Sequence, residues 1–158
     1  MQDIKIRRAG DGDISRIGEL LYQVNKVHSD VRPDLFKSGG RKYTDNELKE
    51  ILRDSARPIF VAEVDGTVQG YAFCVHTQVL GDTSRTDIKT LYIDDLCVDK
   101  AMRGKHIGTK LYEYVLDFAK MNGYYNVTLN VWADNLSAVK FYEHLGLRVQ
   151  KIGMEKIL

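Results

Sequence analysis

Apolar residues recur along this chain at two spacings, one typical of helices and one typical of strands. Near the N-terminus, Ile4 and Ile6 alternate with polar neighbours, which predicts a short first strand. A stripe at helical spacing follows, and it predicts a helix that begins near Asp11 and Asp13. The stripe consists of Ile14, Ile17, Leu20, Leu21 and Val24. Residues 28–40 contain a proline and two adjacent glycines, and they predict a loop.

The middle of the chain predicts a second helix and then three strands. Thr44 with Glu47 three residues later is a capping-box pattern, so a helix should begin there and end before Pro58. Two runs of strand-forming residues then flank Asp65-Gly66, which is a strong hairpin signal. The three strands are predicted over residues 59–64, 68–79 and 88–98.

The last third predicts two more helices and two more strands. Asn122-Gly123 and Gly146 are typical helix ends, and Asn135 is a typical helix start. The elements are a helix over Ile107–Met121, a strand over 126–132, a helix from Asn135 to Gly146 and a last strand over 147–158. The order β-α-α-β-β-β-α-β-α-β predicts one α/β domain spanning residues 1–158, with helices on both faces of a sheet.

The amino-acid composition and net charge exclude some classes of function. A chain of 158 residues with 44% hydrophobic content and a net charge of +1 suits one globular domain without a basic surface, so we expect neither nucleic-acid nor membrane partners. The first residues lack a signal-peptide pattern, and Cys74 and Cys97 are isolated within apolar runs. These features predict a cytoplasmic protein with buried thiols. The histidines have no metal-ligand spacing, so no metal is expected.

A basic, glycine-bearing turn lies between the strand that ends near Val98 and the helix that begins at Ile107. Such a turn places free backbone N–H groups and the positive end of a helix at one point, which favours a phosphate-bearing ligand. A dinucleotide fingerprint is excluded because the turn has only Gly104 and Gly108. A Walker A loop is excluded because three residues separate these glycines and Thr109 precedes the lysine.

Two motifs carry a resemblance to a known family. Residues 103–108 resemble the Q/R-x-x-G-x-G/A pyrophosphate loop of the GNAT family of N-acetyltransferases, with His106 where the family usually has glycine. Residues 135–147 are similar to that family's N-x-x-A-x-x-x-Y-x-x-x-G-F segment, with Leu147 in place of phenylalanine. The matching positions are Asn135, Ala138, Tyr142 and Gly146.

The resemblance implies both a fold and an activity. The fold would be a mixed, mostly antiparallel sheet, and the order of predicted elements agrees with it along the chain. The activity would be direct transfer of an acetyl group from acetyl-CoA, as co-substrate, to a primary amine of a small molecule or peptide, without a metal. Homodimers are common in the family, so the resemblance also implies a possible homodimer. The alternatives are a transferase that uses another acyl-CoA and a CoA-binding regulatory module that has lost catalysis.

The resemblance also assigns residues to the coenzyme. The main chain at the end of the strand predicted over residues 88–98 would bind the pantetheine. The basic turn and the start of the next helix would bind the pyrophosphate. Asn135 and Tyr142 would contact the coenzyme from the last helix. The cofactor-binding residues are Leu96, Cys97, Val98, Arg103, Gly104, Lys105, His106, Ile107, Gly108, Thr109, Asn135 and Tyr142.

Three residues are the candidates for catalysis. By the resemblance, Tyr142 would act as general acid toward the leaving thiolate, Asp94 as base or water-holder, and Asp95 as a contact for the acceptor. Strict alternation predicts Tyr92, Asp94, Leu96 and Val98 on one face of the strand, and Asp95 with Cys97 on the other. The competing interpretations are a packed core tyrosine and two aspartates that only cap or form ion pairs. A Cys97 nucleophile is disfavoured because no relay is spaced to activate it.

Overall fold

The computed structural model describes residues 3–158, so Met1 and Gln2 of the N-terminal segment lie outside it. The strands are β1 (Ile4–Arg8), β2 (Ile59–Val64), β3 (Thr67–Gln78), β4 (Lys89–Val98) and β5 (Asn126–Leu129). The helices are α1 (Ile14–Val31), α2 (Asp45–Leu52), α3 (Ile107–Met121) and α4 (Leu136–His144). Among these helices, none has the length and apolar content that crossing a bilayer would require.

The five strands form one sheet in the order β1-β2-β3-β4-β5. Neighbouring strands are antiparallel except β4 and β5, which are parallel and joined through α3. Parallel neighbours need a crossover connection, and α3 supplies it. The predicted mixed, mostly antiparallel α/β fold is therefore confirmed. The assignment of residues 1–158 as a single domain stays a prediction.

Helices cover both faces of the sheet, and each face has its own core. The apolar stripe of α1 packs with α2 and one sheet face around Ile17, Leu20, Leu48, Tyr71 and Phe73. The other face packs under α3, and its cluster includes Phe60, Ala72, Leu91, Ile93, Ile107, Leu111 and Val115. The helical spacing of apolar residues in α1 and α3 thus identified their buried sides correctly.

Two local signals act as their residue types predict. Asp65 and Gly66 both have positive φ, 50° and 80°, which is the backbone of a two-residue hairpin turn between β2 and β3. The hydroxyl of Thr44 accepts a hydrogen bond from the backbone N–H of Glu47, whose carboxylate accepts one from the N–H of Thr44. This capping box begins α2.

Three predicted boundaries are wrong. The loop predicted from residue 28 begins later, because α1 continues to Val31. The strand predicted to residue 132 ends at Leu129, because its pairing with β4 stops at Ile93. The strand predicted over residues 147–158 does not form, because this segment pairs with no strand within residues 3–158. Alternation marks a segment as able to form a strand, whereas a strand exists only when a neighbouring edge is available.

Candidate active site

An extra residue in β4 determines the geometry of the site. In the pairing of β3 with β4, Phe73 lies opposite Asp95 and Cys74 lies opposite Ile93, so Asp94 has no partner. Asp94 is therefore the additional residue of a β-bulge. A bulge shifts the alternation of side chains by one position for every residue that follows it.

The bulge overturns the predicted division of side chains between the two faces. Before it, Ile93 points to the α3 side, and after it Leu96 packs against the same cluster. Asp95 lies opposite Phe73 and Cys97 lies opposite Tyr71, so both face the α1 side. Asp94 contacts residues just before α2, on that side as well. The prediction of opposite faces is wrong: both carboxylates point toward α1 and α2.

Asp94 is held by two neighbouring residues of the segment before α2. The Nζ of Lys42 donates to Oδ1 of Asp94 at 2.8 Å, and the hydroxyl of Tyr43 donates to Oδ2 at 2.6 Å. The ring of Tyr43 stacks on Phe73 with 5.4 Å between centroids. Burial and the hydrogen bond to Asp94 raise the pKa of Tyr43 well above its usual value. Both oxygens of Asp94 are therefore engaged, one of them by a cation.

Asp95 has a different environment, although it is the next residue. Its one side-chain partner is Tyr71, whose hydroxyl donates to Oδ2 at 2.7 Å. Burial raises the pKa of Asp95 to about 6, and the negative charge of Asp94 adds to the shift, while the Tyr71 hydrogen bond and the charge of Lys42 oppose it. A carboxylate with a pKa near 6 can exchange a proton close to neutral pH.

Tyr142 lies on α4, close enough to Asp95 for the two groups to interact electrostatically. Its ring contacts Phe141 edge to face, with 5.2 Å between centroids, and its hydroxyl has no hydrogen-bond partner among residues 3–158. Burial raises the pKa of Tyr142 to about 12, and the negative charge of Asp95 contributes to the shift. The phenol therefore keeps its proton at neutral pH and is able to donate it.

The sheet opens beside these three residues. β5 pairs with β4 only from Thr90 to Ile93, so the β5-facing backbone of residues 94–98 has no strand partner within residues 3–158. The side chains of Leu96 and Val98 pack against the α3-side core. Cys97 is buried in the other core, and burial raises the pKa of its thiol to about 12. A protonated thiol is a poor nucleophile, which fits the prediction against a Cys97 acyl-enzyme.

The basic turn leads into α3 with its backbone donors free of side-chain caps. His106 has φ 63° and ψ 17°, a left-handed conformation, and its side chain does not cap the helix. The first backbone bond of α3 runs from the N–H of Lys110 to the carbonyl of His106. The N–H groups of Ile107, Gly108 and Thr109 are thus the free donors of the helix start. They can hold an anionic group.

The closeness of α3 and α4 explains one glycine of the turn. A Cβ on Gly108 would lie 3.2 Å from Cζ of Phe141 and 3.6 Å from Cγ2 of Val98. The side chains of Arg103, Lys105 and His106 are exposed. Gly108 therefore allows the helix start to approach α4, while the basic residues remain available to a ligand in solvent.

Asn135 has a structural task as well as its predicted one. Its Oδ1 accepts from the N–H of Ala138 at 3.3 Å and caps α4. It also lines a small cavity with Trp132, Phe36 and His28. Among the predicted coenzyme residues, the structure brings Gly108 of α3 beside Val98 and beside Phe141, the neighbour of Tyr142. Residues 3–158 include no cluster of three His, Cys, Asp or Glu side chains that could hold a metal ion.

Sequence reasoning missed three residues that contact the carboxylates, namely Lys42, Tyr43 and Tyr71. Lys42 and Tyr43 are far from Asp94 in sequence, and no motif joins them. The hairpin signal at Asp65-Gly66 places β3 after β2, but the register of β3 against β4 was needed to bring Tyr71 beside Asp95. Only the folded chain provides that register.

The sequence matches the acetyltransferase (GNAT) family over residues 24–147. This chain belongs to that family. The match includes the bulged strand, the basic turn and α4, so it covers the whole candidate site. The resemblance expected from the two motifs is confirmed.

Similar proteins include N-acetyltransferases with different acceptors. An uncharacterized N-acetyltransferase of Methanocaldococcus jannaschii is 28% identical over 147 residues, 93% of this chain and 62% of its own length. The N-acetylaspartate synthetase of Danio rerio is 35% identical over 61% of this chain and 32% of its own length. The glucosamine 6-phosphate N-acetyltransferase of Arabidopsis thaliana is 37% identical over 43% of this chain and 44% of its own length. The chain therefore spans less than two thirds of each of these relatives.

Solved structures have the same fold. A mutant protein of Bacillus halodurans superposes with a TM-score of 0.93 at 28% identity, covering 98% of this chain and 99% of the other. An aminoglycoside N-acetyltransferase in complex with CoA superposes with a TM-score of 0.74 at 14% identity, covering 100% of this chain and 96% of the other. At that identity the second likeness shows the fold alone.

We predict that Asp95→Asn stabilises the protein at neutral pH. Because the pKa of Asp95 is raised in the folded protein, protonation of Asp95 favours the folded state. This stabilisation is fully present below the pKa of about 4 in the unfolded chain, and it is lost as pH rises through the folded pKa of about 6. Asparagine resembles the protonated form and can still accept from Tyr71. The free energy of unfolding at pH 7.5 should rise by on the order of 1–3 kcal/mol, and the gain should vanish near pH 3.5.

Asp99→Asn is the matched control, and it should change the free energy of unfolding in the opposite direction. Arg16 donates to Asp99 at 2.5 Å and lowers the pKa of that carboxyl, so this substitution should destabilise at pH 7.5. Denaturant unfolding at both pH values measures each effect. A loss of stability for Asp95→Asn at pH 7.5 would show that Asp95 is not desolvated as described.

Proposed function

We propose that this protein transfers an acetyl group from acetyl-CoA to a primary amine, with Tyr142 as general acid. The observation that carries the proposal is the position of the buried phenol of Tyr142, close enough to Asp95 to be affected by its charge, where β4 and β5 separate. Membership of the GNAT family supports acetyl transfer in general. The identity of the amine and the residue roles are parts of the proposal.

The residues at the opening suit a pantetheine thioester with a pyrophosphate. The β5-facing backbone of residues 94–98 is available to pair with the amide groups of a pantetheine arm. The free N–H groups at the start of α3, with Arg103 and Lys105 nearby, suit the pyrophosphate. When bound, acetyl-CoA supplies an acetyl group whose leaving group is a thiolate. Asn135 already caps α4 with its Oδ1, so only its Nδ2 is left for the coenzyme.

The chain's own groups can manage both protons of the reaction. The acceptor arrives as an ammonium and gives one proton to the acidic pair, after which its lone pair forms the N–C bond to the acetyl carbon. The C–S bond then breaks, and the thiolate takes the proton of Tyr142. The second proton that the nitrogen loses as the amide forms returns to the tyrosinate and restores Tyr142. A phenol whose pKa is raised by burial keeps that proton until the thiolate forms.

The contacts of the two carboxylates support a division of labour that differs from the sequence-based one. The sequence favoured Asp94 as base or water-holder and Asp95 as an acceptor contact. Asp94 is bound by Lys42 and Tyr43, which suits it to hold the acceptor or a water molecule in place. Asp95 has a raised pKa and interacts electrostatically with Tyr142, so we propose that Asp95 takes the proton from the ammonium group of the acceptor.

The acceptor should be a small-molecule or peptide amine that enters between α1 and α2. The names of two relatives specify acceptors as different as aspartate and glucosamine 6-phosphate. The intervening segment of this chain has both charge signs, and Arg32 bonds Asp34 while Lys42 bonds Asp94. A CoA-binding regulatory module would need neither Tyr142 nor the acidic pair, which disfavours that alternative. Another acyl donor remains the alternative within enzymes.

We predict that Tyr142→Phe lowers kcat by about 10²–10⁴ with its best amine, because it removes one acid group and keeps the ring. The measurement is CoA release with acetyl-CoA and a panel of amines that includes amino acids, amino sugars, polyamines and peptides. Tyr112→Phe is the matched control, since Tyr112 is another tyrosine whose pKa is raised by burial. It should retain wild-type turnover. No CoA release by the wild type with any amine or acyl-CoA would favour a binding module, and a fully active Tyr142→Phe would refute the acid role.

We predict that kcat/KM of the wild type rises with pH through a pKa near 6, which gives the pH profile an acidic limb. Asp95→Asn should abolish this limb. The substitution should slow the reaction most at low pH and partly spare it at high pH, where free amine is abundant. Asp94→Asn should keep the limb but shift it to lower pH, because the charge of Asp94 helps to raise the pKa of Asp95. A limb kept in Asp95→Asn and lost in Asp94→Asn would return the base role to Asp94.

We predict that His106→Gly leaves the KM for acetyl-CoA within about threefold of wild type and does not lower the melting temperature. A left-handed residue other than glycine is strained by about 1–2 kcal/mol, which glycine removes. His106→Ala keeps the strain but lacks the imidazole, so it should bind acetyl-CoA equally well and be less stable than the His106→Gly variant. A KM raised about tenfold or more in both variants would show instead that the imidazole binds a phosphate.

A further inference from the structure

A lysine of this chain is bound to one carboxylate of the acidic pair. The Nζ of Lys42 donates to Oδ1 of Asp94 at 2.8 Å, and it lies 5.6 Å from the ring centroid of Tyr43. The side chain of Asp94 is 16% exposed, whereas that of Lys42 is 46% exposed. Lys42 therefore reaches from solvent into the site, and its ammonium group meets the carboxylate that we assign to holding the acceptor.

The same ammonium group interacts with the carboxylate that we assign as base. Burial raises the pKa of Asp95, and the charge of Lys42 acts in the opposite direction. Burial also raises the pKa of Tyr142, and the charge of Asp95 adds to that shift. Lys42 is thus within electrostatic range of the proposed base, which is within range of the proposed acid. A primary amine of the chain itself therefore lies beside the groups that move protons in the proposed reaction.

A second lysine shows how an ordinary surface ion pair of this chain differs. The Nζ of Lys26 donates to Oδ2 of Asp30 at 2.8 Å, the same distance as between Lys42 and Asp94. Both members lie on α1, one turn apart, and their side chains are 74% and 64% exposed. Lys42 instead binds a largely buried carboxylate that is 52 residues away along the chain. Lys26 is therefore a matched reference for what Lys42 does in the site.

We propose that Lys42 is itself an acetyl acceptor, so that the protein acetylates this lysine within its own chain. The proposal rests on the acetyl-transfer function proposed above, because it uses the same donor, base and acid. The ammonium group of Lys42 gives one proton to Asp95, and the nitrogen lone pair then forms the N–C bond to the acetyl carbon. The C–S bond breaks, the thiolate takes the proton of Tyr142, and the second proton of the nitrogen returns to the tyrosinate. The products are CoA and an Nε-acetylated lysine.

Attachment to the site favours Lys42 over an amine from solution. Well-oriented internal groups reach effective concentrations of about 10⁵ M or more, so a far less favourable orientation still competes with a millimolar amine. The four-carbon stem of lysine is flexible, and the side chain of Lys42 is only partly enclosed. Acetylation removes the positive charge, so Asp94 loses the cation that it binds in the unmodified chain.

Mass spectrometry of the intact protein and of its peptides tests the modification. The protein is deacetylated enzymatically, its mass is checked, and it is then incubated with isotope-labelled acetyl-CoA without any other amine. We expect Lys42 to gain the label at least about 100-fold faster than Lys26, which reports direct chemical acetylation. Lys42→Arg keeps a cation beside Asp94 but offers only a guanidinium, so it should gain no label at this position. Equal labelling of Lys42 and Lys26 would overturn the proposal.

Tyr142→Phe distinguishes the enzymatic reaction from chemical acetylation. The substitution should slow labelling of Lys42 by about 10²–10⁴ and leave the slow labelling of Lys26 unchanged. Tyr112→Phe should change neither rate. A labelling rate at Lys42 that does not respond to Tyr142→Phe would refute self-acetylation. CoA release with an external amine but no label on Lys42 would refute this inference alone, whereas loss of both reactions would also refute the proposed function.

Concentration and mixing show whether transfer occurs within one chain. The labelling rate per chain should not change with protein concentration in the wild type. Tagged Tyr142→Phe chains, which retain Lys42, are also mixed with untagged Lys42→Arg chains, which retain Tyr142. The tagged chains should keep their own low rate. Faster labelling of the tagged chains after mixing, or a wild-type rate that rises with protein concentration, would show transfer between chains and refute the reaction within one chain.

Discussion

The site depends on one constraint, the single extra residue at Asp94 in β4. The bulge turns Asp94 and Asp95 to the same side of the sheet, and the pairing of β4 with β5 ends at the residue before it. The same irregularity thus creates an acidic pair and leaves backbone donors and acceptors free beside it. Bulges of this kind commonly redirect side chains next to active sites.

The two carboxylates show how neighbouring residues acquire different properties. Asp94 is neutralised by Lys42 and bonded by Tyr43, whereas Asp95 is enclosed with Tyr71 as its one side-chain partner. Enclosing a carboxylate without a cation favours its protonated form, which makes Asp95 costly for stability at neutral pH and useful for moving a proton. The two cores on either side of the sheet hold this arrangement in place.

The family match includes both the residues that we assign to the donor and the segment between α1 and α2. The family match begins at residue 24, and the relatives that name different acceptors align over 61% and 43% of this chain. The basic turn and α4, which we assign to the donor, lie within the family match. The segment between α1 and α2 contributes Lys42 and Tyr43 to the site, and it carries the charges that would select the acceptor. In the function that we propose, donor and acceptor recognition thus come from different parts of the molecule.

The sequence alone determined the order of elements from β1 to α4, the buried sides of α1 and α3, the hairpin at Asp65-Gly66 and the family. These follow from local spacing, from turn chemistry and from two contiguous motifs, all of which can be read without knowing distant contacts. The tertiary structure alone decided that Asp94 and Asp95 share a face, that Tyr71 lies beside Asp95, and that residues 147–158 have no strand partner within residues 3–158. Each of these depends on the pairing of strands distant in sequence, and a shift of one residue in that pairing reverses the direction of every side chain beyond it.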